Sequence, residues 1–475
     1  MDDLHYLSAT DALAQFRAKE LSPVELMEAV IARAESVEPT VNAFTHTRYE
    51  TALEQARAAG ERYAGPSPEP RPLEGLPVGL KDEVPVEGWP WSNGSLIMKD
   101  EIADHTAPIA GRILDAGGIV HARTTTPEFS CAAFTHTPLW GITRNPWSPD
   151  WAVGGSSGGS GAALAAGTAT LASASDIGGS IRIPASFCGV VGFKPPYGRV
   201  PVDPPFNLDH YCHDGPMART VADCALLQNV LAGPHPGDVA SLRPRLEIPA
   251  GLEGIEGMRI AMAVPLGDYP MDPEVAANSL AAAEIFRAAG AVVEPVDLPW
   301  SRDQIMEIAY VHFGGIFGAE IGLGAKEYPD LITPYAAAMA RRSLEAIERS
   351  SFADGLRAEA AIYAPLGSLL ERYEVLICPT VGTRGYVAGD DYADHGIEVG
   401  GEILEDYLAA AMTPPFNIAS RCPVLAVPSG FGSNGVPTGI QIVGRTYDDV
   451  TVFRAGAAYE RERPWFDVAE RRPKL

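Results

Sequence analysis

From residue 76 onward the chain alternates short apolar or β-branched runs with stretches of helical spacing, and no other feature constrains its fold as much. The runs fall at 77–80, 118–122, 168–174 and 189–193, then at 258–262, 291–296, 375–378, 424–427 and 440–443. Strands alternating with helices bury their apolar faces against one another, so an α/β fold is expected, with a central mixed or mostly parallel sheet flanked by helices. Helical spacing at 272–289 and through 303–372 predicts further helices. The second of these stretches lies between two strand-rich portions and reads as a mainly helical inserted region. Before the alternation begins, residues 10–16 and 24–34 also carry helical spacing, so an N-terminal helical segment precedes the core. Ser22-Pro23 supplies a start signal, with Ser22 at the N-cap, Pro23 in the first turn and Glu25 at the capping-box position.

Composition removes several classes of function. Sixty-one acidic residues against 36 basic ones give a formal charge of −25, and no basic cluster exceeds Arg341-Arg342 or Arg471-Arg472. Phosphate contacts need a basic face, so no direct nucleic-acid partner is expected. The start, Met1-Asp2-Asp3-Leu4-His5, lacks the basic-then-apolar layout of a signal peptide, and no run of about 18 apolar residues could span a bilayer. A cytoplasmic location without membrane attachment is the expectation. Six cysteines, at 131, 188, 212, 224, 378 and 422, show no C-x-x-C spacing, so neither a disulfide framework nor a zinc site is expected. No repeat or linker composition divides the 475 residues, which predicts one domain over 1–475.

The chemistry concentrates in two glycine-rich segments, Gly154-Gly155-Ser156-Ser157-Gly158-Gly159-Ser160-Gly161 and Ser175-Asp176-Ile177-Gly178-Gly179-Ser180-Ile181-Arg182-Ile183-Pro184-Ala185. Glycine lets a backbone adopt conformations closed to other residues and approach a ligand closely. A serine there is a nucleophile or only a turn former, and a serine hydroxyl needs a base to attack anything. Neither segment contains a histidine. Lys81, in Gly79-Leu80-Lys81-Asp82, can be that base only when neutral, which burial would favour. Set alone beside Asp82 and Glu83, it would read as an ion-paired surface lysine.

Taken together and in this order, the three segments resemble the amidase-signature family. The resemblance continues through Thr143-Arg144-Asn145-Pro146-Trp147, 188–195, Gly215-Pro216-Met217-Ala218-Arg219, Pro415-Phe416-Asn417 and 439–444, and so covers nearly the whole chain. It implies the amidase-signature fold, with 1–65 as the N-terminal segment, 70–245 as the signature core, 255–372 shaping the substrate pocket and 373–475 completing the core. It implies hydrolysis of a carbon–nitrogen amide bond through an acyl-enzyme, with no cofactor and no metal. Ser180 is then the nucleophile, Ser156 a bridging serine at a cis peptide, and Lys81 the base. The backbone N–H groups of Ile177, Gly178, Gly179 and Ser180 offer an oxyanion hole, supported by Ser157, Asp176 and Arg182. Two departures from the family pattern stand out: Ser175 where relatives carry threonine, and Ser420-Arg421-Cys422-Pro423 where they have a glycine-containing turn.

The partner expected is a small-molecule amide, acted on by a monomer or homodimer. Phe129, Phe134, Phe206 and Tyr211 are candidates for its pocket, with the helical block over 307–335 also suspected. Two other readings compete. Gly154-Gly155-Ser156-Ser157-Gly158 fits the G-x-S-x-G elbow of α/β-hydrolases, which needs a histidine such as His210, His213, His235, His312 or His395. The second is the glutaminase subunit of a tRNA-dependent amidotransferase; carbamate or ester hydrolysis on the same residues is a further variant. His210 and His213, with Asp209 near, invite a metal reading, but loop structure or a pocket wall explains them without one.

Overall fold

The capping signal at Ser22 forms as the sequence predicts. The Ser22 hydroxyl accepts from Glu25 N at 3.2 Å, and Ser22 N donates to Glu25 Oε2 at 2.8 Å, which starts a helix over Pro23–Val41. Such a cap contributes about 1 kcal/mol. The helix buries Leu26, Met27, Val30, Ile31 and Ala34, one apolar stripe at helical spacing. These observations come from a computed structural model that describes residues 3–65 and 69–475. Helices Ala9–Ala18 and Tyr49–Ala64 complete the N-terminal segment, but residues Phe44–Thr47 between them form a strand instead of continuing the helical pattern.

That strand is one edge of an eleven-stranded sheet. The spatial order is Phe44–Thr47, Ile119–Thr124, Pro77–Lys81, Leu171–Asp176, His213–Ala218, Val191–Lys194, Val424–Phe431, Pro437–Gly444, Val375–Pro379, Arg259–Met262 and Val292–Pro295. The sheet is mixed. Pro77–Lys81 runs parallel to both its neighbours, and Arg259–Met262 does the same, while the strands from Leu171 to Pro379 in that spatial order pair antiparallel. Val375-Leu376-Ile377-Cys378 shows why such runs are apolar throughout. Val375 and Ile377 join one apolar cluster and Leu376 and Cys378 another, as expected for a strand covered on both faces.

The expected helix at 272–289 is Pro273–Ala288, capped by Asp272, whose side chain accepts from Glu274 N. The long block is four helices, Arg302–Gly314, Phe317–Glu327, Pro334–Arg349 and Phe352–Leu370. Ile305, Ala309, Phe313, Met339 and Leu366 from this block pack with Leu376, Val424 and Val443 of the sheet. His213, expected in a loop, begins a fully buried strand. All six cysteines are unpaired. Among the described residues no single helix is long and apolar enough to cross a membrane.

Candidate active site

Parallel pairing of Pro77–Lys81 with Leu171–Asp176 carries the C-terminal ends of both strands to one side of the sheet. In α/β sheets that edge is where ligands bind. Lys81 is the last residue of the first strand, and the 177–181 turn follows the second. The Ser156 loop arrives beside them at the start of helix Gly158–Ala166.

Lys81 has no solvent exposure. Its Nζ lies 2.7 Å from Ser156 Oγ and 2.8 Å from Ser175 Oγ, with Glu83 Oε1 at 3.0 Å. Burial lowers its pKa from the ordinary lysine value, and Glu83 opposes that shift. Ser156 follows a cis peptide, Gly155-Ser156. Glycine is required at 155, since a Cβ there would stand 2.5 Å from the carbonyl oxygens of both Ala132 and Phe134. Ser157 ties the two serine loops together. Its N–H donates to Ser180 O at 3.2 Å, and its hydroxyl accepts from Ser175 N at 3.3 Å.

The Ser180 turn is held from behind by Asp176. Its carboxylate accepts from Gly179 N at 2.8 Å, Ile181 N at 3.2 Å, Arg182 Nε and Nη2 at 2.9 Å each, and Asn417 Nδ2 at 2.9 Å. Burial alone would raise this carboxyl; the Arg182 charge and these hydrogen bonds outweigh it and hold it well below the usual carboxylate range. Arg182 extends the network to Thr413 O at 3.0 Å, Gln441 Oε1 at 2.6 Å and Asn417 Oδ1 at 2.6 Å. Thr413 Oγ1 also donates to Gly178 O at 2.6 Å. At Gly179, with φ +135°, a Cβ would collide with Thr413 Oγ1, so this turn too needs glycine. Asp176→Asn should lower unfolding stability by about 3–5 kcal/mol, because it leaves the Arg182 charge buried without its counterion. Thermal unfolding measures the loss, and a variant as stable as the wild type refutes this role.

Gly179 N–H is thus taken up by Asp176. Of the four expected oxyanion donors, Ile177, Gly178 and Ser180 keep N–H groups with no acceptor among the described residues.

Beside Ser180, itself 9% exposed, lies a cavity bounded by Ser130, Cys131, Ile177, Gly178, Phe313, Phe317, Met339 and Leu408. The four aromatic residues expected to line it do not. Phe134 is fully buried and stacks on His136 at 5.0 Å within an aromatic core. Phe129 packs against that core with a left-handed backbone, φ +51°. Phe206 stands 36% exposed on a short 3-10 turn. Tyr211 is buried, donates to Glu359 Oε1 at 2.9 Å and stacks on His312 at 3.6 Å. Aromatic type alone marked these four, whereas the wall is set by helix packing, with Phe313 and Phe317 coming from the suspected helical block.

His210 and His213 diverge. His213 has its Nδ1 3.2 Å from Asp176 O and its Nε2 3.2 Å from Ser420 O, and burial pushes its pKa down to about 3. His210 Nε2 lies 3.1 Å from Glu359 Oε2. Asp209, His210 and His312 instead bring one potential metal-ligand atom each within 4.8 Å of one another, with His312 Nε2 2.7 Å from Asp209 Oδ1 as in an ordinary hydrogen-bonded pair. No histidine among the described residues hydrogen-bonds Ser156 or Ser180, which the elbow reading would require.

Sequence reasoning missed Ser175 as a lysine partner and Thr413; it named Glu83 only as the neighbour of an ion-paired surface lysine, whereas Glu83 approaches a lysine that has no exposure. Asn417 and Gln441 lay inside segments that the resemblance had marked, without an assigned task.

Comparison with known proteins identifies the family. A model of the Amidase family matches residues 25–453. Among curated relatives, a glutamyl-tRNA(Gln) amidotransferase subunit of Chloroflexus aggregans is 34% identical, over 100% of this chain and 99% of its own. An acylamidase of Rhodococcus erythropolis is 33% identical, over 98% and 97% respectively. A bacterial aryl acylamidase of the amidase-signature family superposes with a TM-score of 0.88 at 29% identity, covering 99% of this chain and 100% of its own. With the match extending over most of its length and its fold shared throughout, the chain belongs to the amidase family and is an enzyme that hydrolyses amide bonds.

Proposed function

We propose that the enzyme cleaves its amide through an acyl-enzyme on Ser180, with Ser156 passing protons between Ser180 and Lys81. The observation that carries this reading is Lys81 itself, a lysine without solvent exposure whose Nζ stands 2.7 Å from the Ser156 hydroxyl. Neutral Lys81 draws the Ser156 proton while Ser156 takes that of Ser180, and the Ser180 oxygen adds to the amide carbonyl. The resulting oxyanion faces the N–H groups of Ile177, Gly178 and Ser180, donors each worth roughly 3–4 kcal/mol when aimed at charge that develops in the transition state. As the C–N bond breaks, the proton held on Lys81 returns through Ser156 to the leaving nitrogen. Water then repeats the sequence and releases the carboxylic acid.

A base that must be deprotonated fixes the sign of the pH dependence. kcat/KM should rise with pH along an ionisation that vanishes in Lys81→Ala. A profile unchanged by that substitution removes Lys81 from the proton path.

The likeness to an amidotransferase subunit favours one second reading, a glutaminase working inside an assembly. The cavity beside Ser180 speaks against it. None of its lining residues carries a charge, whereas glutamine would bring an ammonium and a carboxylate, each costing several kcal/mol to bury unpaired. An uncharged acyl group fits that lining.

A further inference from the structure

Away from the serines, Lys81 faces two carboxylates that the mechanism does not use. Glu83 follows it by two residues and approaches Nζ to 3.0 Å. Asp214 comes from the neighbouring strand His213–Ala218, where it is the cross-strand partner of Ser175. Directly opposed residues of an antiparallel pair send their side chains to the same face, so Asp214 stands beside the Ser175 hydroxyl that meets Lys81 at 2.8 Å. Asp214 is only 8% exposed, and its carboxylate has no hydrogen-bond or ion-pair partner among the described residues. Burial, and after it the Glu83 charge, push its pKa well above the usual carboxylate range, a penalty on its charged form that a cation held between the two carboxyl groups would relieve. Lys81 cannot neutralise the pair, because in the resting enzyme it must be uncharged to act as base. Glu83 keeps 17% of its side chain exposed, which leaves the pair open to solvent on one side.

The position of the pair relative to the scissile bond follows from the proton path. With Lys81 as the source, through Ser156, of the proton that the leaving nitrogen takes, the side of the site that holds Lys81 is assigned to the amine half of the substrate, and the uncharged cavity at Ile177, Phe313 and Met339 to the acyl half. We infer that Glu83 and Asp214 form a subsite for a cationic group on the amine half, an alkylammonium carried a few bonds beyond the scissile nitrogen. The inference rests on the assignment of Lys81 as proton donor to that nitrogen. It identifies the preferred substrate class as amides between an uncharged acid and a diamine or other basic amine.

The test compares two amides with one acyl group, the mono-benzoyl amide of diaminobutane and the benzoyl amide of pentylamine, in wild type, Glu83→Gln and Asp214→Asn. Wild type should favour the cationic amide in kcat/KM by about tenfold or more at low salt, the scale of a charge-assisted hydrogen bond. The ratio should shrink toward one in Asp214→Asn and at high salt. Using the ratio cancels any change the variants cause in Lys81 itself, since both amides depend on it equally. Equal rates in wild type, or a preference that both variants leave intact, overturn the subsite. Calorimetric binding of pentylammonium against pentanol reads the same subsite without turnover. No ammonium preference there again overturns the subsite, whereas retained ammonium binding with neither amide turned over supports it and faults the proton path instead.

Discussion

Replacing Ser180 with alanine should abolish covalent labelling by a fluorophosphonate and lower kcat/KM for an amide by about 10⁴-fold or more. Only an activated oxygen beside oxyanion donors attacks that reagent, and Ser180 is the serine that ends the 177–180 turn and borders the cavity. The variant should keep its fold, because no structural hydrogen bond uses the Ser180 hydroxyl among the described residues; its peptide N–H and carbonyl remain in place. Intact mass after labelling and a thermal melt check both halves of the expectation. Labelling that persists and maps to Ser156 would transfer the nucleophile to the other glycine-rich loop and revive the elbow reading.

Lys81→Ala should lose more amidase than esterase activity. An amide nitrogen must be protonated as it leaves, whereas an activated aryl ester releases a stable phenoxide without help. Removing Lys81 therefore damages amide cleavage twice, at activation of Ser180 and at protonation of the amine, but ester cleavage mainly at the first. General acid–base assistance contributes about 10²–10⁴-fold, so a selectivity shift of at least roughly tenfold is expected. The measurement is kcat/KM for an amide and an ester of one acid, in wild type and variant, where acylation limits both. Equal losses would leave Lys81 only its structural task of holding Ser156 and Ser175, which it meets at 2.7 and 2.8 Å.

Nine of the eleven strands, the helix Pro23–Val41 and the helices within 272–372 were legible as apolar runs and helical spacing, because a strand buried on both faces and an amphipathic helix each write their burial into composition. His213–Ala218 was not. It contains glycine and proline and no β-branched residue, and it is a strand because its neighbours Leu171–Asp176 and Val191–Lys194 supply partners on both sides. Phe44–Thr47 was hidden in a helical context for a related reason: four residues at a sheet edge are decided by the ladder they join.

Within the site, the residue types that chemistry demands were visible in the chain: two serines in glycine-rich loops, a lysine at a strand end, and an Asp and Arg six residues apart. The positions that force glycine could also be suspected, although which atoms crowd Gly155 and Gly179 could not. What surrounds these groups was set by the packing of the folded chain. Neighbours from residues 83, 175, 214, 413, 417 and 441 converge on them; strand pairing brings 175 and 214 together beside Lys81, and the packing of distant segments brings 413, 417 and 441 to the Ser180 turn and Arg182. Tertiary packing also assigned the Gly179 N–H to Asp176 and made Phe313, Phe317 and Met339 the cavity wall in place of the four aromatic residues marked by type. The physical reason is common to all of these: local pattern records how far a residue is removed from water, whereas the partner it meets there depends on strand register and helix packing that bring distant segments together.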